Sequence, residues 1–232
     1  MVTRSLFEKE LAQMHSEIVR MGVAVENSIS QAVTALVEQD SVLAQKVIEE
    51  DDIIDDMELE IERMCIEIIT KQQPVARDLR DVTSALKLIT DLERIADHAS
   101  DISERILVLS SKKRVMIHYD LITMAEISKD MISGALDAYV TRNIELAQKI
   151  IRQDDRVDGL YKKLKEESIH LMQVDSANVE QYVELLLVSK YFERIADHAQ
   201  NVAEWVVFYV NGQNRREISD EPANPNSGPT EK

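Results

Sequence analysis

The sequence predicts an all-α protein built from two tandem three-helix units. Leu, Ile, Val, Ala, Glu, Lys and Met are abundant, aromatic residues make up only 4%, and Pro74 is the sole proline within residues 1–221. This composition favours nearly continuous helix. The heptapeptide of residues 93–99 (ERIADHA) recurs without substitution at residues 193–199, which indicates an internal duplication.

The first unit contains three predicted helices. Over residues 5–38, apolar side chains recur at three- and four-residue spacing, as along one face of a long amphipathic helix. Asp40 can cap a second helix over residues 41–71. Pro74 ends that helix, because the residue before a proline resists helical geometry. A third helix over residues 77–110 carries the first heptapeptide.

The second unit repeats this order. A fourth helix is predicted over residues 115–139, and Asn143 then stands where Asp40 stands in the first unit. A fifth helix follows to about residue 171, and a sixth over residues 177–210 carries the second heptapeptide.

Two further matching blocks define the internal repeat. Residues 44–48 and 51–55 match residues 147–151 and 154–158, which lie 103 positions later and in the same order. We therefore divide the chain into a first three-helix repeat, residues 1–112, and a second, residues 113–210. Residues 211–232 hold the other three prolines and too few apolar side chains to offset their ordering entropy, so we expect a disordered tail.

The charge and composition exclude several classes of protein. A formal charge of −16 argues against a nucleic-acid surface, which needs clustered Lys and Arg, and suits cations or basic partner surfaces instead. The first eleven residues mix charges in a way that is unlike a signal peptide, and no apolar run approaches the length of a membrane span. Cys65 is the only cysteine, so it can form no intrachain disulfide. We expect a cytoplasmic protein with no membrane insertion.

Acidic pairs at i,i+4 spacing are the strongest candidates for a site. Glu93 and Asp97 share one helix face, and Asp51 and Asp55 form a similar pair on the preceding helix. If the two helices pack antiparallel, the pairs can face each other. Converging carboxylates repel unless protons or cations neutralise them, and oxygen ligands suit Mg²⁺, Mn²⁺ and Fe²⁺. Metal binding and a merely solvated acidic face both remain open, since Arg94 could pair with a carboxylate instead.

The two histidines of the heptapeptides have a different expected role. His98 and His198 lie about one position off the acidic row, so a structural or interface role is favoured over metal ligation. The Glu-x-x-His spacing of di-iron bundle enzymes is absent. No glycine-rich phosphate loop or nucleophile–base arrangement is found either.

The repeated heptapeptides, the D-x-x-x-D pairs and the turn at residues 72–80 (QQPVARDLR) resemble the PhoU family of phosphate-signalling proteins over about residues 3–210. The resemblance implies two three-helix bundles related by pseudo-twofold symmetry. It also implies multinuclear clusters of divalent or trivalent metal ions (Fe, Mn, Mg or Zn) on acidic motifs. In that family the protein represses phosphate-starvation genes and links the ATPase subunit of the phosphate ABC transporter to a membrane sensor histidine kinase. We expect a homodimer.

The candidate metal ligands combine the acidic motifs that match the family with the residues that continue each row. They are Asp51, Asp55, Glu93, Asp97, Asp101, Asp154, Asp158, Glu193, Asp197 and Asn201. The halves differ where Asp101 is replaced by Asn201 and Glu58 by Tyr161. These differences place equal metal occupancy of the two halves in question.

The expected function is that of an adaptor with no turnover of its own, which reports the state of the transporter to the kinase. One rival is a carboxylate-bridged metalloenzyme, against which the missing Glu-x-x-His pairs count. The other is a metal-free helical adaptor whose acidic faces are solvated.

Overall fold

A computed structural model describes residues 2–112 and 116–212, and within these ranges it contains no strand. The α-helices of this part of the chain are α1 Val2–Glu38, α2 Ser41–Gln72, α3 Arg77–Ser110, α4 Tyr119–Thr141, α5 Ile144–Ile151, α6 Asp154–Val174 and α7 Val179–Asn211. A 3₁₀ turn, Ser176–Asn178, precedes α7. The predicted all-α class is confirmed. Most of the predicted tail, residues 213–232, and the predicted start of the fourth helix at residue 115 lie outside the described residues.

Equivalent side chains cap the second helix of each repeat. Asp40 Oδ1 accepts hydrogen bonds from the amides of Val42 at 2.9 Å and Leu43 at 3.0 Å. Asn143 Oδ1 accepts from the amide of Leu146 at 3.0 Å. Each bond satisfies an amide that the helix itself leaves unpaired. The capping role predicted for Asp40 is therefore confirmed, and the duplication extends to this local detail.

The predicted single fifth helix is wrong, because the structure divides it into α5 and α6 at Arg152 and Gln153. The amide of Gln153 bonds to the carbonyl of Ile150, three residues back, at 2.9 Å. Such a bond tightens the turn and interrupts the four-residue ladder of an α-helix. Both residues keep right-handed helical dihedrals, so the chain continues in nearly the same course and Asp154 becomes the first residue of α6.

The central helices α3 and α7 pack against each other more extensively than any other pair in the described chain. Helices α1 and α2 cover α3, while α4, α5 and α6 cover α7. The apolar positions of both heptapeptides are fully buried: Ile95, Ala96, Ala99, Ile195, Ala196 and Ala199. The fold is thus two three-helix bundles, with α5 and α6 together forming the middle member of the second.

A polar cluster centred on Asp91 crosses the contact between the two halves. Its Oδ1 accepts from His198 Nδ1 at 2.8 Å and Asn201 Nδ2 at 3.0 Å, and its Oδ2 accepts from Trp205 Nε1 at 3.0 Å. The His98 ring lies 5.7 Å from the His198 ring. Both histidines thus lie at the contact between the halves, which agrees with the structural or interface role predicted for them.

Replacement of Asp91 by Ala should destabilise the association of the halves. Its side chain is only 13% exposed, and its loss removes the acceptor of three hydrogen bonds from α7. Hydrogen bonds to a charged group contribute roughly 1.5–3 kcal/mol, so we expect a loss of about 2–3 kcal/mol in the free energy of unfolding. Urea denaturation followed by circular dichroism measures it. The exposed Asp130 of α4 provides the matched control, and an equal effect of D130A would contradict the assignment.

Candidate metal centre

Helices α2 and α3 bring the acidic pairs of the first half together. Asp51 and Asp55 lie beside the buried stripe of α2, and Glu93 and Asp97 beside that of α3; all four are partly buried. One carboxylate oxygen each from Asp55, Glu93 and Asp97 lies within 4.8 Å of the other two. Three of the four carboxylates predicted to converge in this half therefore do so, and the charge of Asp97 also acts on the fourth, Asp51. We call these four residues the first acidic cluster.

Burial leaves several oxygens of the first acidic cluster without hydrogen bonds. Asp51 Oδ1, Asp55 Oδ1 and Glu93 Oε2 are buried and have no hydrogen-bond partner among the described residues. Burial, and then the charge of Asp97, raises the pKa of Glu93 to about 7 and that of Asp51 to about 6. The same causes raise the pKa of Asp55. The cluster is therefore costly to ionise at neutral pH without a nearby cation.

Arg94 supplies part of the positive charge that the cluster requires, from the solvent side. Its Nη1 lies 2.8 Å from Asp97 Oδ2, and its Nε lies 3.3 Å from Glu93 Oε2, a charge contact without hydrogen-bonding geometry. The side chain is 55% exposed, so water screens it and its contribution is small. One exposed guanidinium does not satisfy the buried oxygens. The donor set, all carboxylate oxygen, fits a hard or borderline divalent ion.

The second half arranges the equivalent residues differently. Asp154 and Asp158 lie on α6, and Glu193 and Asp197 on α7; we call these four the second acidic cluster. Burial, and then the charges of Asp197 and Asp158, raises the pKa of Asp154 to about 7. Lys190 Nζ, however, donates to both carboxylate oxygens of Glu193. Among the four carboxylates, only Asp154 keeps a buried oxygen that lacks a hydrogen-bond partner in the described structure.

Comparison with known proteins decides the family. The PhoU domain model matches residues 18–106 and again residues 121–206, which is one match in each half.

The chain belongs to the PhoU family.

Relatives within the PhoU family match most of the chain. The phosphate-specific transport system accessory protein PhoU homolog of Clostridium acetobutylicum is 42% identical over 213 residues, covering 91% of this chain and 97% of its own. The accessory protein PhoU of Escherichia coli K12 is 35% identical over 212 residues, covering 91% and 88%.

Solved PhoU structures share the fold. The crystal structure of PhoU from Pseudomonas aeruginosa matches with a TM-score of 0.87 at 35% identity, covering 89% of this chain and 100% of its own. That of the phosphate transport system regulatory protein PhoU from Streptococcus pneumoniae gives 0.83 at 28% identity, covering 89% and 98%. No helix in the described ranges has both the length and the apolarity to cross a bilayer.

Two predicted ligands are placed apart from the acidic clusters. Asp101 Oδ2 lies 3.1 Å from His98 Nδ1, and the amide of Asn201 donates to Asp91 across the two halves. Each four-residue step along a helix turns the side chain by about 40°. Asp101 and Asn201 lie two such steps beyond Glu93 and Glu193, so their side chains point away from the second helix of their own repeat. Asp101 and Asn201 therefore contribute to the contact between the PhoU repeats.

Sequence reasoning missed two features, one next to the acidic clusters and one elsewhere in the second half. Thr90 Oγ1 donates to Glu58 Oε1 at 3.1 Å, whereas Lys190 occupies the equivalent position in the second half. The aligned repeats contain this difference, but only the structure shows that it touches a cluster. A separate group, His118, Asp120 and Glu167, also brings ligand atoms within 4.8 Å. Lys163 Nζ lies 2.5 Å from Asp120 there and supplies a positive charge.

In metal-free protein, Glu93→Gln should reduce the dependence of stability on pH. Burial raises the pKa of Glu93 from 4.5 to about 7. A carboxyl raised in this way contributes stability that is fully present below its unfolded pKa and lost as the pH rises through about 7. Glu93 is 18% exposed, and we expect it to account for a fall of up to about 3 kcal/mol in the free energy of unfolding.

Urea denaturation in chelator at pH 5 and pH 8 measures this fall. Glu60→Gln is the control, because that side chain is 62% exposed. A Glu93→Gln protein that loses as much stability as wild type over the same pH interval would contradict the proposed burial effect.

Proposed function

We propose that the chain is a cytoplasmic regulator of phosphate uptake and signalling that binds metal ions through its first acidic cluster. The observation that carries the metal-binding proposal is the convergence of Asp55, Glu93 and Asp97 next to buried oxygens that lack hydrogen bonds. The regulatory role is supported by the names of relatives, which describe an accessory protein of the phosphate-specific transport system, and by that of the solved Streptococcus pneumoniae protein, which describes a regulatory protein of that system. In this proposal the chain has no turnover of its own.

The proposed partners are the ATPase subunit of a phosphate ABC transporter and a phosphate sensor histidine kinase. A formal charge of −16 supports binding to basic patches on such partners, because complementary charge steers association. The protein acts as a homodimer that transmits the state of the transporter and represses phosphate-starvation genes. This coupling maintains phosphate homeostasis.

In the first half, Asp51 and Asp55 on α2 and Glu93 and Asp97 on α3 would hold the ion. A divalent or trivalent cation (Fe, Mn, Mg or Zn) supplies the positive charge that allows these carboxylates to remain ionised together. Through the bound ion, these residues would tie α2 to α3 and fix the acidic face that partners recognise. Arg94 balances part of the charge from outside.

A metal-free adaptor is the second candidate, and the contacts of Arg94 and Lys190 favour it because each already neutralises a carboxylate. The metalloenzyme has less support: the three converging ligand atoms of the first cluster come from carboxylates alone, without histidine. Absence of turnover in metal-loaded protein across hydrolytic and oxidative substrates would argue against that enzyme.

Replacement of Glu93 and Asp97 by Ala should lower the metal content and derepress phosphate-responsive genes. Asp55 then loses both partners with which its oxygen converges, so an ion loses its chelating set. Metal analysis of the purified protein measures the first effect, and transcript levels in phosphate-replete cells measure the second.

The double variant D52A/D56A is the matched control. Asp52 and Asp56 have the same i,i+4 spacing on α2 but are exposed, so both readouts should stay at wild-type values. Unchanged metal content in E93A/D97A would remove the metal-binding part of the proposal. Metal loss without derepression would remove its link to gene regulation.

Metal should also stabilise the native protein. A ligand that binds only the folded state adds about 2.7 kcal/mol when present at 100 times its dissociation constant. We expect Mn²⁺ to raise the melting temperature of chelator-treated protein and renewed chelation to reverse the rise. Circular dichroism during heating measures it. If no tested metal shifts the melting temperature at any concentration, the metal-free adaptor is favoured.

A further inference from the structure

The two acidic clusters carry the same number of carboxylates but differ in the residue that lies three positions before the glutamate on the central helix. Thr90 lies three residues before Glu93, and Lys190 lies three residues before Glu193. Residues three apart on a helix lie on the same face. Each side chain is therefore beside the glutamate of its own cluster, and the duplicated chain provides an internal comparison between a hydroxyl and an ammonium group.

Lys190 is held in place by the second half. Its Nζ donates to both oxygens of Glu193 and lies 5.1 Å from the centre of the Tyr161 ring. An ammonium group over an aromatic face gains a further favourable interaction. Tyr161 occupies the place that Glu58 has in the first half, where Glu58 accepts a hydrogen bond from Thr90. The second half thus has Tyr161 in place of the acidic Glu58 and Lys190 in place of the hydroxyl of Thr90.

The two clusters also differ in how many of their buried oxygens lack a hydrogen bond. In the first acidic cluster, three residues keep a buried oxygen that lacks a hydrogen-bond partner among the described residues: Asp51, Asp55 and Glu93. In the second, Asp154 alone does so. A metal ion approaching Glu193 must break two hydrogen bonds from Lys190 and come close to its positive charge. Approach to Glu93 meets the hydroxyl of Thr90 instead.

We infer that Lys190 is the internal counter-ion of the second acidic cluster, and that the metal ion is bound by the first half alone. The inference rests on the metal binding proposed above and defines where in the chain it occurs. Lys190 takes the place of the ion by engaging both oxygens of Glu193, and Tyr161 keeps the ammonium in position. The two repeats share a fold and a motif but neutralise their acidic clusters by different means.

Substitutions that exchange the two residues test the inference. Full-length protein is stripped with chelator, dialysed against Mn²⁺ and analysed for bound metal per chain. In wild type, E93Q/D97N should abolish Mn²⁺ binding, while E193Q/D197N should leave it unchanged. K190T, which copies Thr90 into the second half, should about double the bound Mn²⁺, and adding E193Q/D197N to K190T should remove the gain.

The reciprocal variant places a lysine in the first half. T90K should weaken Mn²⁺ binding at the first acidic cluster by at least about tenfold, the scale of changes beside metal ligands. Lys71→Thr is the charge-matched control for K190T, because Lys71 forms an exposed ion pair with Glu67 on α2; it should bind as wild type does. Helical circular dichroism and melting temperature confirm that each variant folds.

The outcomes separate the inference from the function on which it rests. Wild-type Mn²⁺ shared equally between the halves, or K190T binding no more Mn²⁺ than wild type, overturns the role of Lys190 and leaves metal binding intact. Absence of Mn²⁺ binding in wild type and in every variant overturns both. Gain in K190T together with loss in T90K supports the inference.

Discussion

The packing of α3 against α7 is the contact on which the rest of the molecule depends. Asp91 of α3 accepts hydrogen bonds from three side chains of α7, and the His98 and His198 rings lie 5.7 Å apart across the same contact. With the apolar faces of the heptapeptides directed into the core, their acidic residues remain at the outer edge, beside α2 and α6. The position of each acidic cluster is therefore a consequence of how the two repeats join.

Keeping like charges partly buried and close together costs free energy, and the two halves offset this cost with different side chains. Burial raises the pKa of Asp51 and Asp154 to about 6 and about 7, which reflects the work of holding carboxylates away from water. In the first half the exposed Arg94 approaches Asp97. In the second half Lys190 holds Glu193. An acidic motif that is duplicated in sequence is thus not duplicated in its electrostatics.

Helical periodicity was sufficient to predict the class, the repeat and most helix ends, because those features follow from apolar spacing and caps. Spacing alone could not distinguish Asp51 and Asp55 from Asp52 and Asp56, which have the same separation; burial of the first pair distinguishes them. The break at Arg152 contains no glycine or proline and keeps helical dihedrals, so nothing in the neighbouring sequence predicts it. Asp101 was misplaced because a row of i,i+4 residues drifts around the helix. Metal binding itself stays a prediction.

The interruption between α5 and α6 gives the second repeat a helix terminus at a place where α2 of the first runs without a break past Asp51. Asp154 and Asp155 occupy the first turn of α6. The amino end of a helix carries a positive partial charge, but α5 ends two residues earlier in nearly the same direction, and its negative carboxyl end offsets that charge. The pKa of Asp154 accordingly stays raised to about 7. Lys190 therefore supplies the positive charge on that side, and the interruption of the helix has altered backbone hydrogen bonding without altering the balance of charge around the acidic row.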